Sequence, residues 1–304
     1  MSSSPDFGPS AYLCHQILEQ MDRASGGNKI IYETEFNKLC YLAYKELEEE
    51  GYANEVKLPM RWYQFGMELW GQPEAYGVIY QGDDRGTRVT RQTLSDRVFD
   101  VGNELQGAIY KVARQLAGEY KNTYGTDKIV DDSYEDYAPT EFVREYHEFR
   151  SVFEDLEEGQ SSLASFANDE SPEDHISTVR PHMERLVESY PRSKYDEAYP
   201  LFRRWDSVTR QLAKNGDLDT MESLASDFWE MFSRVELRIH HQIDIPSNDQ
   251  ADWILERPRH KDAFEETLRE YRQSALEGRD DTDHLDRVSA SYSEAVRSIA
   301  NESD

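Results

Sequence analysis

A mainly α-helical, two-lobed protein with one small β-hairpin in its N-terminal lobe is the architecture this sequence predicts. Three observations carry that reading. Apolar residues recur at helical spacing along most of the chain. One pair of short runs, Gly77–Gln81 and Thr87–Arg91, flanks the turn residues 82–86 and reads as a hairpin. An acidic, turn-rich stretch at 126–139 separates the hairpin-bearing part from a part that looks helical throughout. The expected organisation is therefore a lobe at 1–125, an acidic linker at 126–139 and an acidic helical bundle at 140–304.

The elements follow in order. The first helix runs from Ser10 to Arg23 with Leu13, Ile17, Leu18 and Met21 on one face, and Gly26-Gly27 ends it. A second helix, Glu33 to Glu50, carries the stripe Phe36, Leu39, Cys40, Ala43 and Leu47 and stops at Gly51. Leu58-Pro59 breaks the chain, and the aromatic-dense residues 60–70 read as a short buried helix or turn. After the hairpin, Leu94, Val98, Val101, Leu105, Ile109, Val112 and Leu116 predict a long helix over 94–120. In the second half, Phe142, Tyr146, Phe149 and Phe153 mark a helix over 140–157, followed by a polar linker at 158–172. Further helices are expected at 173–190, 194–213, 217–243, 260–277 and 284–300. Asn215-Gly216-Asp217 is a stop-and-restart signal, and 280–283 an acidic connector.

Composition bounds the function. The 304 residues include 34 Lys+Arg against 61 Asp+Glu, a formal net charge of −27, yet 19 Tyr, 12 Phe and 5 Trp supply a core that a disordered acidic chain lacks. Only ten of the basic residues are Lys. Excess acid with few lysines is the surface chemistry of proteins that work in molar salt, where carboxylates hold water and salt screens their repulsion. On that reading the charge reports a halophilic habitat and disfavours nonspecific nucleic-acid binding. No run of about 18 apolar residues predicts a membrane span, and the first ten residues lack a signal peptide's basic and apolar regions. A cytoplasmic location is expected, with Cys14 and Cys40 as buried thiols. Residues 1–125 hold 13 basic and 18 acidic residues, much milder than the rest, which suggests a covered surface or a site in the first lobe.

Two stretches of that lobe form a recognisable pair: Asn37-Lys38-Leu39 with Tyr41-Leu42-Ala43, and Trp62 with Phe65-Gly66. Together they resemble the Panacea (SocA-like) antitoxin domain, whose first core helix carries an LxKLLYLA-like string followed by an aromatic W-x-x-Y-G-P stretch. Phe65 replaces the Tyr, and Met67 stands where the family has Pro. The resemblance implies a mostly helical, non-enzymatic domain that binds a toxin or adapts a partner to a protease, with no cofactor. Read from the residues, Lys38 is a surface lysine of its helix and Trp62, Tyr63, Phe65 and Trp70 are core; the alternative is an exposed anchor including Arg61 and Trp62, since Arg and Trp are frequent interface anchors, and Lys38, Arg61 and Trp62 are the candidate partner contacts.

Other constellations stand beside it. Arg85, Arg88 and Arg91, with Arg97 close by, form a concentrated basic patch on the hairpin. It reads as a wing for an acidic protein surface or phosphates, or as charges paired with Asp83, Asp84, Asp96 and Asp100. Arg234 and His240 match the R-x4–6-H spacing of HEPN ribonucleases, where a base near the 2′-hydroxyl and a cation near the phosphate cleave RNA; Val235 replaces the polar residue usual there. Glu236 and His240 are spaced for metal ligation but lack further ligands, so no metal is expected. The reading is thus an antitoxin-like or regulatory protein-interaction module, its partner another protein and a second copy of the chain an alternative. An RNA-cleaving enzyme acting through Arg234 and His240 is the runner-up, and a structural assembly protein the third.

Overall fold

The computed structural model describes residues 7–123, 125–161 and 172–277, and among them the fold is mainly helical with a small antiparallel strand region. Helix α1, Pro9–Ser25, has Pro in its first turn, where no backbone donor is lost, and ends on left-handed Gly26. Helix α2, Glu33–Glu49, follows. Cys14 and Cys40 are free buried thiols whose sulfurs face each other at 3.9 Å where these helices pack. A short helix α3, Ala53–Val56, leads to the stretch expected as a helix or turn. It is instead a hairpin, β1 Met60–Tyr63 and β2 Gly66–Leu69, in the register Met60↔Leu69 and Tyr63↔Gly66. Strand alternation explains it: Met60 and Trp62 are buried, while Arg61 and Tyr63 face the other way.

The hairpin read from the sequence is β3 Val78–Asp83 with β4 Gly86–Arg91. The helix expected from Leu94 begins only at Asn103, as α4 Asn103–Tyr120. Residues 98–100 give their backbone hydrogen bonds to Phe7 (Phe7 N to Val98 O 2.9 Å, Asp100 N to Phe7 O 2.8 Å), and Gly102 is extended. Leu94, Val98 and Val101 still pack on the core, which is why their spacing mimics a helix.

The stretch 126–139, expected as a linker, folds as helix α5, Asp127–Tyr137, with Ile129 and Tyr134 buried. Helix α6, Glu141–Ser161, then lays Phe142, Tyr146, Phe149 and Phe153 into an aromatic core. Helix α7 is Pro172–Ser189 and α8 is Tyr199–Asn215. As the sequence predicts, α8 stops on left-handed Gly216, and the Asp217 carboxylate accepts from Thr220 N at 3.2 Å to cap α9, Leu218–Phe232. Helix α9 passes through a π turn, Ser233–Leu237, into the single turn α10, Arg238–His240.

The helix expected to reach 243 ends there, because Gln242–Ile243 form strand β5 and pair with β1 in the register Met60↔Ile243 and Arg61↔Gln242. One sheet, β2-β1-β5, thus draws on both ends of the chain. Helix α11, Ser247–Glu277, begins thirteen residues before the expected 260 and carries Pro258 inside it. Most of the linker at 158–172, the acidic connector and the last expected helix lie outside the described residues. No helix among those described is long and apolar enough to cross a membrane.

Candidate functional site

Four arginines converge where β1 meets the π turn and α11. Arg61, Arg234, Arg238 and Arg259 line a cleft of about 430 Å³ together with Tyr63, His260 and Glu256. Each element presents its residues for a local reason. Alternation along β1 puts Arg61 and Tyr63 on one face, away from the buried Trp62. Arg234 and Arg238, four apart, share one side of the π turn, and Arg238 Nε donates to the Arg234 carbonyl at 2.8 Å. Glu256 and His260 are spaced in the same way on α11.

Arg61, Arg234 and Arg238 are held by neighbouring side chains. Arg61 donates through Nε and a terminal nitrogen to Glu68 Oε1, at 2.8 and 2.6 Å. Its guanidinium sits in an aromatic box, 4.3 Å from the Trp70 ring centre, 4.8 Å from Tyr63 and 5.3 Å from Trp253. Trp70 and Trp253 meet edge to face, so the box spans both lobes. Arg234 donates to the Tyr63 hydroxyl at 2.9 Å and pairs with Glu230 at 2.6 Å. Arg238, almost fully buried, donates to Glu256 at 2.8 Å. Three carboxylates, Glu68, Glu230 and Glu256, thus pair with three of the four arginines. Burial first, then Arg234 and Arg238, hold the His260 pKa below the usual histidine range.

The cleft continues into a smaller pocket of about 190 Å³ between α9 and α11. The two share Arg234, His260 and Ala263. There the lining changes to Asp227, Glu230, Met231 and Phe264.

Several expected site residues sit elsewhere. Lys38, expected at the surface, is 1% exposed. The β1–β2 hairpin covers the polar face of α2, and Lys38 Nζ donates to the Met67 carbonyl at 2.9 Å. Burial pulls its pKa down to about 7, against the pull of nearby Glu68. It is therefore no partner contact; it stands behind the carboxylate that orients Arg61. Trp62 is 2% exposed and packs edge to face on Tyr41 and Tyr134, so it is core and no anchor; the exposed aromatic of this hairpin is Phe65, 55% exposed at its tip. Arg61 is the one first-lobe contact expected from the sequence that reaches the cleft.

Arg85, Arg88 and Arg91 lie on the β3–β4 hairpin, exposed and outside the cleft. Arg91 reaches Glu19 at 3.6 Å, and Asp83 caps the Arg85 backbone N–H at 2.8 Å. Arg234 and His240 do not share a pocket. His240 lies 3.2 Å from the buried Glu236 and packs near Tyr195, on another side of the π turn, so the HEPN-like pair is not assembled. The histidine that stands with Arg234 is His260.

Arg238, Arg259, His260 and Tyr63 escaped the sequence reading. One signal was available: Glu256-Arg-Pro-Arg-His-Lys261 is a dense basic run in an otherwise strongly acidic half. Among the described residues no cluster of three His, Cys, Asp or Glu side chains could hold a metal ion. No family model matches the chain, and no curated protein and no solved structure matches it.

Proposed function

We propose that this chain is a non-enzymatic binding protein of antitoxin-like or regulatory type, and that its recognition site is the arginine-lined cleft, which takes an anionic group of a partner protein. The convergence of four arginines in a chain of net charge −27 carries this reading. Random placement of so few basic side chains would scatter them among the acids as surface pairs. Here Arg61 and Arg238 are stacked on aromatics, and these two and Arg234 are braced by carboxylates, the arrangement that fixes guanidinium forks for carboxylate or phosphate. The first-lobe resemblance to SocA-like antitoxin domains points to the same class of role. The cytoplasm of a salt-accumulating cell is the setting we assign to it.

Binding of an anionic peptide tests the reading. Isothermal titration with an acidic or phosphorylated peptide should give saturable binding that weakens as potassium chloride rises. Arg234→Gln and Arg259→Gln should each reduce it at least tenfold. Failure of every anionic peptide to bind the folded protein would refute the proposal.

A further inference from the structure

Resting on that reading, we infer that the anionic group is a phosphate monoester on a partner segment, a phosphorylated Ser or Thr with a basic residue close to it in the sequence. Three observations lead there.

The donor set fits a phosphate better than a carboxylate. Two of the arginines already serve carboxylates of this chain: Arg61 gives two hydrogen bonds to Glu68 Oε1, and Arg238 gives one to Glu256 and one to the Arg234 carbonyl. At the rim stand Arg259, His260 and Arg234, whose Nε and one terminal nitrogen are engaged by Tyr63 and Glu230, and their remaining donors face the three oxygens and near-double charge of a phosphate dianion. The Tyr63 hydroxyl, which accepts from Arg234, keeps its own proton to donate.

The site is also open along one side. Arg259 and Glu256 are exposed and Arg234 is about one-third exposed. A small ligand is normally enclosed over most of its surface. A half-open trough instead suits a side chain projecting from a peptide that runs across it.

The lining changes along its length. From the arginines, where Glu230 pairs with Arg234, the groove runs past Ala263, Met231 and Phe264 to Asp227. A segment with phosphate at one end and a Lys or Arg at the other matches that sequence of charges, and the apolar middle receives the intervening side chain. Specificity would arise at both ends, because a second phosphate or a Glu at the far end would meet the Asp227 carboxylate.

The experiment uses the full chain in about 1 M and about 0.3 M potassium chloride, spanning a Debye length of roughly 3 to 6 Å. Fluorescence anisotropy is read with four labelled synthetic peptides: a phosphoserine peptide with Lys two or three residues away, its unphosphorylated form, its Ser→Glu form, and the phosphopeptide with that Lys replaced by Glu. Inorganic phosphate competes in a separate arm. The expected result is at least thirtyfold tighter binding of the phosphopeptide than of the unphosphorylated form. Lys→Glu in the peptide should cost at least fivefold, and Arg234→Gln or Arg259→Gln in the protein should erase the preference.

Equal binding of the Glu and phosphoserine peptides would overturn this inference and leave the anion-binding reading intact. So would inorganic phosphate competing as strongly as the phosphopeptide, which would make the ligand a small phosphate compound. Binding by none of the peptides would overturn both. Circular dichroism melting of each variant confirms that it is folded.

Discussion

Replacing Lys38 by Met should stabilise this protein at neutral pH and flatten its stability between neutral and alkaline pH. The native ammonium is fully buried and its pKa is drawn down to about 7 from 10.5, desolvation outweighing the attraction of Glu68. Between those values the unfolded chain binds a proton that the folded chain does not, so folding gains stability as pH rises, at about 1.4 kcal/mol per unit. The stabilisation is complete above the unfolded pKa and is lost as pH falls toward 7. The whole effect is about 5 kcal/mol, and roughly 2.5 kcal/mol of it falls between about pH 7.5 and 9.5.

Methionine has a similar length and no charge, but it leaves the Met67 carbonyl without its donor, a loss of about 1 to 3 kcal/mol. The variant should thus be more stable than wild type at pH 7.5 by about 1 to 3 kcal/mol, an advantage that is gone by pH 10. Urea denaturation followed by tryptophan fluorescence, at half-unit pH steps, measures the difference directly. Taking the difference cancels the many buried tyrosines, whose pKa values burial pushes up. A wild-type minus variant curve that is level across this window would show that Lys38 does not carry the strained charge assigned to it.

Further outcomes follow from the same contacts. Gly66→Ala should destabilise by about 1 to 3 kcal/mol in thermal melts, because Gly66 has φ +86° and a Cβ there would lie 2.8 Å from Lys38 Nζ. Trp62→Ala should cost about 3 to 5 kcal/mol, whereas Phe65→Ser at the exposed tip should leave the melting temperature nearly unchanged. His241, whose Nε2 lies 2.7 Å from the Tyr195 hydroxyl, has its pKa pulled down to about 3 by burial and by Lys194. Its neutral form therefore favours folding above pH 6.5, and that contribution is lost as pH falls toward 3; His241→Asn should flatten the acid limb of a pH-stability profile. Lowering potassium chloride from molar to about 0.1 M should lower the melting temperature, since unscreened carboxylates repel one another over a longer range. A phosphopeptide that occupies the cleft should raise the pKa of His260, read from its imidazole carbon shifts by NMR.

The helical stripes were legible because each is local. Leu13, Ile17 and Met21 need no knowledge of the rest of the chain to mark a buried face, and Gly216-Asp217 carries its own cap chemistry. Residues 60–63 were misread because aromatic density hid an alternation of buried Met60 and Trp62 with outward Arg61 and Tyr63. The acidic count of 126–139 likewise hid Ile129 and Tyr134, two inward residues that suffice to seat α5. Lys38 could not be placed from its own helix, since what buries it is a hairpin some thirty residues later. The cleft was least legible of all. Its two halves, Arg61-Trp62-Tyr63 and the run from Glu256 to Lys261, lie nearly two hundred residues apart, and contacts between distant segments bring them together: the pairing of β5 with β1, Arg234 on Tyr63 and Trp253 on Trp70. Spacing within one helix favoured Arg234 with His240, but the π turn and the docking of α11 set His260 beside Arg234 instead.

The two-residue strand β5 also sets a timetable for biosynthesis. Strand β1 is made about 180 residues before β5, and at elongation rates of about 5 to 20 residues per second that is a wait of roughly ten to forty seconds. Throughout it the nascent chain shows an unsatisfied sheet edge at 60–61, and the Gln64 carbonyl lacks the Trp229 indole that will donate to it at 2.6 Å. A ribosome-bound chain stalled before residue 229 therefore offers that edge to neighbours. The cleft, by the same logic, comes into being only after α11 has been released.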